Sequence, residues 1–156
     1  MEPRSDAKEL DIYRDSPLRY CGYANEVGES FRPIVPKLFV HLSYAVAVMY
    51  VLAECGDKSR KIYKKPEILG GGMKPAAKMA GDVFLWQMLA SVAIPGFIIN
   101  RITYGCGKLI KMSKLKGIPR KWGATIVGLS SIPLIIRPID HGVDILMDKT
   151  YRKYVV

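Results

Sequence analysis

The sequence predicts an all-α fold: a small multi-pass membrane protein with about three apolar membrane helices and amphipathic N- and C-terminal helices. Three observations predict it. Hydrophobic residues make up 49% of the 156 residues, an ordinary share, but they are concentrated in three blocks. The segments between the blocks are strongly basic, and the net charge is +10. The central block, Val83–Ile99, contains no charged residue.

Residues 82–100 form the clearest of three predicted spans. A helix rises about 1.5 Å per residue, so Val83–Ile99 would reach roughly 25 Å, close to the thickness of a bilayer's hydrocarbon core. Asp82 precedes the block, Arg101 follows it, and Trp86 lies near one end. Charged borders and an interfacial aromatic residue are typical of a membrane span. The alternative is a buried core helix of a soluble protein, but few of these are so long without a charge.

The other two spans are predicted at residues 37–54 and 122–139. Lys37, at the start of the first, can extend its amine to the membrane boundary. The third has a short apolar block and needs neighbouring residues to cross, so a re-entrant or interfacial segment is the alternative. Pro95 and Pro133 lie inside apolar blocks. Both are predicted helix-kink positions, because proline frees a backbone carbonyl.

The two ends of the chain differ from the spans. Residues 1–16 are polar and predicted to be loose, and their acidic side chains do not fit a secretory signal or a typical mitochondrial presequence. Residues 17–32 predict an amphipathic helix in which Ala24 and Gly28 would permit close helix contact. Residues 140–156 predict an amphipathic tail with aspartates and one arginine at four-residue steps.

The helix predicted over residues 17–32 contains the candidate partner-contact residues. Their apolar members could anchor a partner helix or groove, and their polar members could orient it. The alternative is that the same side chains only pack this helix against the spans. The predicted set is Tyr20, Tyr23, Asn25, Glu26 and Phe31.

Basic residues cluster in two predicted linkers, residues 54–78 and 101–121. Beside apolar spans, such clusters favour contact with the anionic headgroups of a lipid bilayer. Nucleic acid is not a predicted partner, because its binding would favour basic residues on one helix face with aromatic residues between them. The Gly70-Gly71-Gly72 run lacks the spacing of a phosphate loop and predicts a turn.

The sequence predicts no catalytic residue, no cofactor, no metal site and no small-molecule substrate. His41 and His141 lie in different settings, and no nucleophile–histidine constellation accompanies them. The three cysteines are widely spaced, which predicts free thiols. An alternative function is a small-solute transporter or channel subunit. It is suggested by the paired prolines, Pro95 and Pro133, and by polar residues near the membrane such as Gln87, because broken helices in repeats can mark transport sites.

Short motifs along the chain give a further indication of function. They include Tyr13-Arg14-Asp15, Arg19-Tyr20-Cys21-Gly22-Tyr23-Ala24-Asn25-Glu26-Val27-Gly28-Glu29-Ser30-Phe31-Arg32, Leu42-Ser43-Tyr44, Trp86-Gln87, Ala93-Ile94-Pro95-Gly96-Phe97, Asn100-Arg101, Arg120-Lys121-Trp122 and Pro138-Ile139-Asp140. Together they resemble the mitochondrial fission process protein family over nearly the whole chain.

This resemblance implies an integral, multi-pass protein of the mitochondrial inner membrane that promotes mitochondrial fission and affects cell survival and apoptosis. Other inner-membrane or fission proteins are then the expected partners. Dividing a membrane requires work, usually supplied by nucleotide hydrolysis, and the sequence contains no nucleotide-binding motif. The expected role is therefore that of a non-enzymatic adaptor or regulator of another machine.

Overall fold

The structure, a computed structural model, describes residues 13, 17–113 and 116–155, without the side chains of residues 19, 118 and 120. Its elements in chain order are a 3₁₀ segment (Pro17–Tyr23), α1 (Ala24–Phe31), α2 (Lys37–Lys64), a 3₁₀ turn (Glu67–Leu69), α3 (Met73–Gln87), a π-helical segment (Met88–Ala93), α4 (Ile94–Met112), α5 (Ile118–Lys149) and α6 (Tyr151–Tyr154). The described part of the chain contains no strand. The all-α prediction is therefore confirmed. The predicted loose tail lies outside the described residues, apart from Tyr13.

Three helical stretches are long and apolar enough to cross a membrane. They are Lys37–Lys64, Glu67–Met112 and Lys121–Tyr154. The second begins with the 3₁₀ turn, and its main part consists of α3, the π-helical segment and α4, which follow one another without a break. Each predicted span lies inside one of these stretches, and each stretch extends beyond the predicted bounds.

The basic linkers are shorter than the sequence indicated. Residues 54–64 continue α2, and residues 101–112 continue α4. Lys and Arg are good helix formers, so a basic run does not end a helix whose other side is packed. The first ten residues of the predicted C-terminal tail, residues 140–149, continue the same helix as the third predicted span, because α5 runs without interruption to Lys149.

The turn predicted at the glycine run is confirmed. Gly70 and Gly72 have φ angles of 78° and 108°, in the left-handed region that glycine adopts without strain. A β-carbon on Gly71 would lie 1.8 Å from the carbonyl oxygen of Lys65, so the chain passes too close for any side chain. This turn lies near the start of the second membrane-length stretch and leads into α3.

The short helix α1 is enclosed by the longer helices and contacts α2, α4 and α5. Gly28 lies so close to α2 that a β-carbon there would be 1.9 Å from Ser43 Oγ. The Phe31 ring meets the Trp122 ring of α5 edge-on, with 6.5 Å between centroids. The close helix contact predicted at Gly28 is therefore confirmed.

The buried side of α1 is its polar side. Asn25, Glu26, Glu29 and Ser30 are at most 2% exposed, whereas Val27 is 40% exposed. From the apolar pattern of residues 17–32, the alternative to partner binding was that the apolar side of this helix packs against the spans, which is the opposite side. In a membrane protein the polar side belongs inside, because hydrocarbon solvates apolar side chains and polar groups turn towards the bundle interior.

Large apolar side chains cover much of the outer surface of the long helices. Examples are Phe39, Met49, Phe97 and Leu134, all at least 61% exposed. Exposed apolar surface on this scale is a sign of contact with a membrane or a partner rather than with water. An apolar exterior around a polar interior is the arrangement expected of a helical bundle in lipid.

Candidate functional site

The first cluster of buried polar groups surrounds the carboxylate of Glu29. Arg32 donates two hydrogen bonds to it, from Nε and Nη2, each of 2.6 Å. The Tyr44 hydroxyl donates at 3.0 Å, and Asn100 Nδ2 donates at 2.9 Å. Burial acts to raise the pKa of Glu29, but these donors outweigh it, and the pKa lies below its ordinary value. The ionised carboxylate thus joins α1 to α2 and α4.

The neighbouring contact involves the π-helical segment. Asn25 Nδ2 donates a 3.1 Å hydrogen bond to the carbonyl oxygen of Val92. Pro95, the second residue after the segment, has no N–H to donate to an α-helical hydrogen bond, and this gives the irregular helix a local cause. Gly96 provides the space: a β-carbon on it would lie 2.4 Å from the Tyr44 hydroxyl oxygen.

The second polar cluster surrounds Glu54 of α2, which is fully buried. Lys58, one turn further along, forms an ion pair with Glu54 Oε1. Gln87 Nε2 donates a 2.6 Å hydrogen bond to Glu54 Oε2, and Ser91 Oγ donates a 2.6 Å bond to Gln87 Oε1. These four side chains join α2 to the end of α3 and to the π-helical segment.

The third cluster surrounds Arg152 of α6. Its guanidinium is 2.7 Å from Asp82 Oδ1 of α3, 3.2 Å from Asp144 Oδ1 and 2.9 Å from Asp148 Oδ1. Trp86 Nε1 also donates a 2.9 Å hydrogen bond to Asp144. The acidic stripe seen in the sequence therefore binds an arginine of the same chain and holds the C-terminal turn against α3.

A cavity of about 510 Å³ lies between the helices that contribute to these clusters, and we call it the acidic cavity. Its lining comes from the first 3₁₀ segment, α1, α2, α3, the π-helical segment, α5 and α6. Carboxylates dominate its charged lining: Glu26, Glu54, Asp82, Asp140 and Asp144, against the cationic Lys58 and Arg152. Four aromatic residues also contribute to the wall: Tyr13, Tyr23, Tyr50 and Trp86. Among the described residues, no group of His, Cys, Asp and Glu has an arrangement that could hold a metal ion.

A second concavity, of about 860 Å³, has the opposite charge, and we call it the basic groove. Its charged lining consists of Arg32, Arg101, Lys108, Lys111 and Lys121, and its described lining contains no acidic residue. The Arg101 guanidinium lies 5.6 Å from the ring centroids of both Phe97 and Tyr104. The chemistry of this groove suits an anionic group.

The five predicted contact residues do not form one surface. Tyr20 is 75% exposed, Asn25 and Glu26 are 0% exposed, and Tyr23 and Phe31 are partly buried. In this structure the buried members face the chain's own helices. A role of the set in binding a partner stays a prediction.

The predicted helix-kink residues have different settings. Pro95 is the second residue after the π-helical segment, while Pro133 lies inside α5, which continues as a helix past it. The sequence reasoning missed Glu29, Tyr44 and Glu54 as site residues. Glu54 could have been recognised from the sequence, because it is a charged residue at the end of an apolar block.

Three membrane-length helices, an apolar exterior and a buried polar network define a class of protein, the small helical membrane protein with a polar interior. The comparisons with known proteins give the family. A model of the Mitochondrial 18 KDa protein (MTP18) family matches residues 7–80 and 74–147, and the chain belongs to this family.

Relatives from three animals match along nearly their whole length. The chain is 47% identical to human "Mitochondrial fission process protein 1" over 155 residues, which cover 97% of this chain and 92% of that protein. It is 47% identical to the Danio rerio protein of the same name over 156 residues, covering 98% and 94%. The Caenorhabditis elegans protein of that name is 46% identical over 155 residues, covering 98% and 93%. No solved structure matches the chain.

Proposed function

We propose that the chain is a multi-pass protein of the mitochondrial inner membrane that promotes mitochondrial fission without being an enzyme, and thereby affects cell survival. The observation that supports this most directly is the similarity, along nearly the full chain, to proteins named for mitochondrial fission. The three membrane-length helices supply the means of insertion. In this role the chain acts as an adaptor or regulator of a separate machine that performs the work of division.

Two kinds of partner fit this role. Anionic lipid headgroups would meet the basic groove, whose lysines and arginines have the opposite charge. A protein partner would reach the exposed beginning of the α1 region, where Tyr20 projects from the 3₁₀ segment. An exposed tyrosine is a frequent anchor in protein interfaces, because it offers a large apolar ring and one hydroxyl group.

The proposal is tested by depleting the protein in cells and imaging the mitochondrial network. Depletion should give elongated, hyperfused mitochondria, because fusion would continue with less opposing division. The wild-type chain should restore the normal network. An unchanged network after full depletion would exclude a role in fission.

The rescue experiment also tests the partner contact. Tyr20→Ala removes an exposed ring and should leave the buried network intact, so failure of this variant to rescue would locate the contact. Tyr63→Ala is the matched control, because Tyr63 is also exposed, at 60%, but lies on α2. Normal rescue by both variants would remove Tyr20 from the proposed contact.

A second candidate function, solute transport, is favoured by one observation: a polar cavity lies among helices that could cross a membrane. Purified protein in liposomes should then conduct or exchange a solute. Pro95→Ala should change that flux, because it restores the missing backbone donor beside the π-helical segment. Liposomes without flux would leave the proline with a packing role only.

A further inference from the structure

Two arginines of the basic groove are held by one continuous chain of hydrogen bonds. Arg32 donates to the buried Glu29 carboxylate from Nε and Nη2, each at 2.6 Å. Asn100 links the two sides, because its Nδ2 donates to Glu29 and its Oδ1 accepts from Nε and Nη2 of Arg101. Three hydrogen-bonded links therefore connect the two guanidinium groups, and both arginines line the same groove.

Each of these guanidinium groups is held along one edge only. Both use Nε and Nη2, so the N–H groups of Nη1 have no acceptor among the described residues. Arg101 is exposed and the Arg32 side chain is 33% exposed, so a ligand can reach both. A planar guanidinium with unused N–H groups matches the oxygen atoms of a phosphate. We call this pair of positioned arginines the arginine clamp.

The charge of the groove favours an anion with more than one charge. Arg32 is compensated by Glu29, but Arg101 and the three lysines of the groove form no ion pair with any described residue. A phosphomonoester brings close to two negative charges and three acceptor oxygens at neutral pH. A phosphodiester brings one charge and two such oxygens. The groove therefore fits a phosphomonoester better.

The position of the groove favours a lipid over a dissolved anion. Arg101 follows the central apolar block by two residues, and Lys121 precedes the block that begins at Ala124 by three. At about 1.5 Å per helical residue, both cations lie within about 5 Å of the hydrocarbon core, the depth of the headgroup layer. The exposed Phe97 ring, one turn from Arg101 towards that core, offers a surface for an acyl chain.

We propose that the arginine clamp binds the phosphomonoester headgroup of an anionic phospholipid, of which phosphatidate is the simplest, with one lipid per chain. The two guanidinium groups donate hydrogen bonds to the phosphate oxygens, and the lysines attract the headgroup without orienting it. The lipid then bridges the end of α1 and α4. The inference rests on the proposed membrane location and on the lipid contact proposed for this groove, and it requires no role in fission.

The first test counts lipids on the full chain in detergent by native mass spectrometry, during titration with phosphatidate or phosphatidylglycerol. Binding of phosphatidate should saturate at one lipid per chain. Its apparent affinity should be at least about tenfold higher than that of phosphatidylglycerol, the effect expected from one additional charge-assisted hydrogen bond. Glycerol 3-phosphate has the same phosphomonoester without acyl chains and should bind at least about tenfold more weakly than phosphatidate.

Variants then locate the site. Arg101→Lys keeps the charge but removes the planar fork, so it should lower the affinity for phosphatidate about tenfold and leave that for phosphatidylglycerol nearly unchanged. Diffuse attraction would not produce this loss of selectivity. Arg137→Lys is the matched control, because Arg137 is an exposed arginine of α5 outside the groove and should bind as wild type does. Arg32→Lys should repeat the loss, and unfolding without lipid shows that each variant is folded.

Four outcomes would overturn the proposal. They are no saturable binding of phosphatidate, equal affinity for phosphatidylglycerol, equal affinity for glycerol 3-phosphate, and wild-type selectivity in folded Arg101→Lys. The third outcome would assign the groove to a soluble phosphate ester instead of a lipid. The count of bound lipids does not depend on the depletion experiment, so a failed clamp and a failed role in fission are distinguishable.

Discussion

Glu26 and Glu29 lie one turn apart on α1, and their surroundings are opposite. Glu29 accepts hydrogen bonds from three side chains, Arg32, Tyr44 and Asn100. Glu26 has no partner among the described residues, and burial raises its pKa to about 8. The carboxylate of Glu29 is therefore charged and holds helices together, whereas the carboxyl group of Glu26 keeps its proton at neutral pH.

Replacing Glu29 by glutamine should destabilise the folded chain by about 2 kcal/mol, because the variant removes the charge that pairs with the part-exposed Arg32 and weakens two other hydrogen bonds to a buried side chain. The loss should show as a lower Tm in detergent, while Glu67→Gln, at an exposed position, should unfold as wild type does. Since folding lowers the pKa of Glu29 below 4.5, its contribution is present above that pH and is lost as the pH falls. An unchanged Tm for Glu29→Gln at neutral pH would contradict this assignment.

Glu26 gives the opposite pH dependence. Its pKa rises from 4.5 to about 8 on folding, so the stability that it contributes is complete below 4.5 and is lost as the pH rises to 8. Glu26→Gln should remove this loss and should be more stable than wild type at pH 8, by about 3 kcal/mol. The measurement is Tm against pH for both proteins, and parallel curves would refute the prediction.

The other titratable groups of the cavity wall bear on this result. They are Tyr13, Tyr23, Tyr50, Glu54, Lys58, Asp82, Asp140, Asp144 and Arg152. They are present in both proteins, so their own pH dependence cancels to first order when the two curves are subtracted. Asp140 is the exception, because its charge contributes directly to the raised pKa of Glu26.

At the scale of elements, the junction of α1, α2 and α4 depends on a close approach at Gly96. Gly96→Ala places a β-carbon 2.4 Å from the Tyr44 hydroxyl oxygen and 3.3 Å from Asn25 Nδ2. It should destabilise the fold by about 1–3 kcal/mol through overpacking. Gly105→Ala, in the same helix with no neighbour within 4 Å, should be neutral or slightly stabilising. Equal Tm values for the two variants would show that the junction tolerates the methyl group.

The ends of α4 and α5 supply the lysines of the basic groove. Changing Lys108, Lys111 and Lys121 together to glutamine should reduce the phosphatidylglycerol retained by the solubilised protein, since each lysine near an anionic surface contributes about 1 kcal/mol. Native mass spectrometry can count the retained lipids. A triple variant at Lys64, Lys149 and Lys153 has the same change in charge outside the groove and should retain lipid as wild type does. Equal losses in both variants would indicate a general charge effect.

At the scale of the whole molecule, the apolar exterior predicts integral insertion. The chain should stay in the membrane pellet after extraction at alkaline pH. Leaving the bilayer would expose the apolar surface of its helices to water, which is unfavourable. Release into the supernatant would exclude integral insertion.

The sequence predicted those features that depend on residues close together along the chain. The charge-free block Val83–Ile99 identified a helical stretch of membrane length, and the glycine run identified a turn. The basic runs concealed the continuation of α2 and α4, because lysines that end an apolar block do not end a helix. The burial of Glu29 and Glu54 depends on donors distant in the chain, such as Asn100 and Gln87, which no local pattern reveals.

The enclosed position of α1 also determines the order of assembly. Its groups are synthesised first, but the surfaces that receive them come later, at Ser43, at Val92 and finally at Gly128. Until α5 has been inserted, the polar side of α1 would face either water or hydrocarbon, and in hydrocarbon each unsatisfied group costs several kcal/mol. Although α1 precedes the three membrane-length stretches in the chain, it can therefore reach its final position only after α5 is in place.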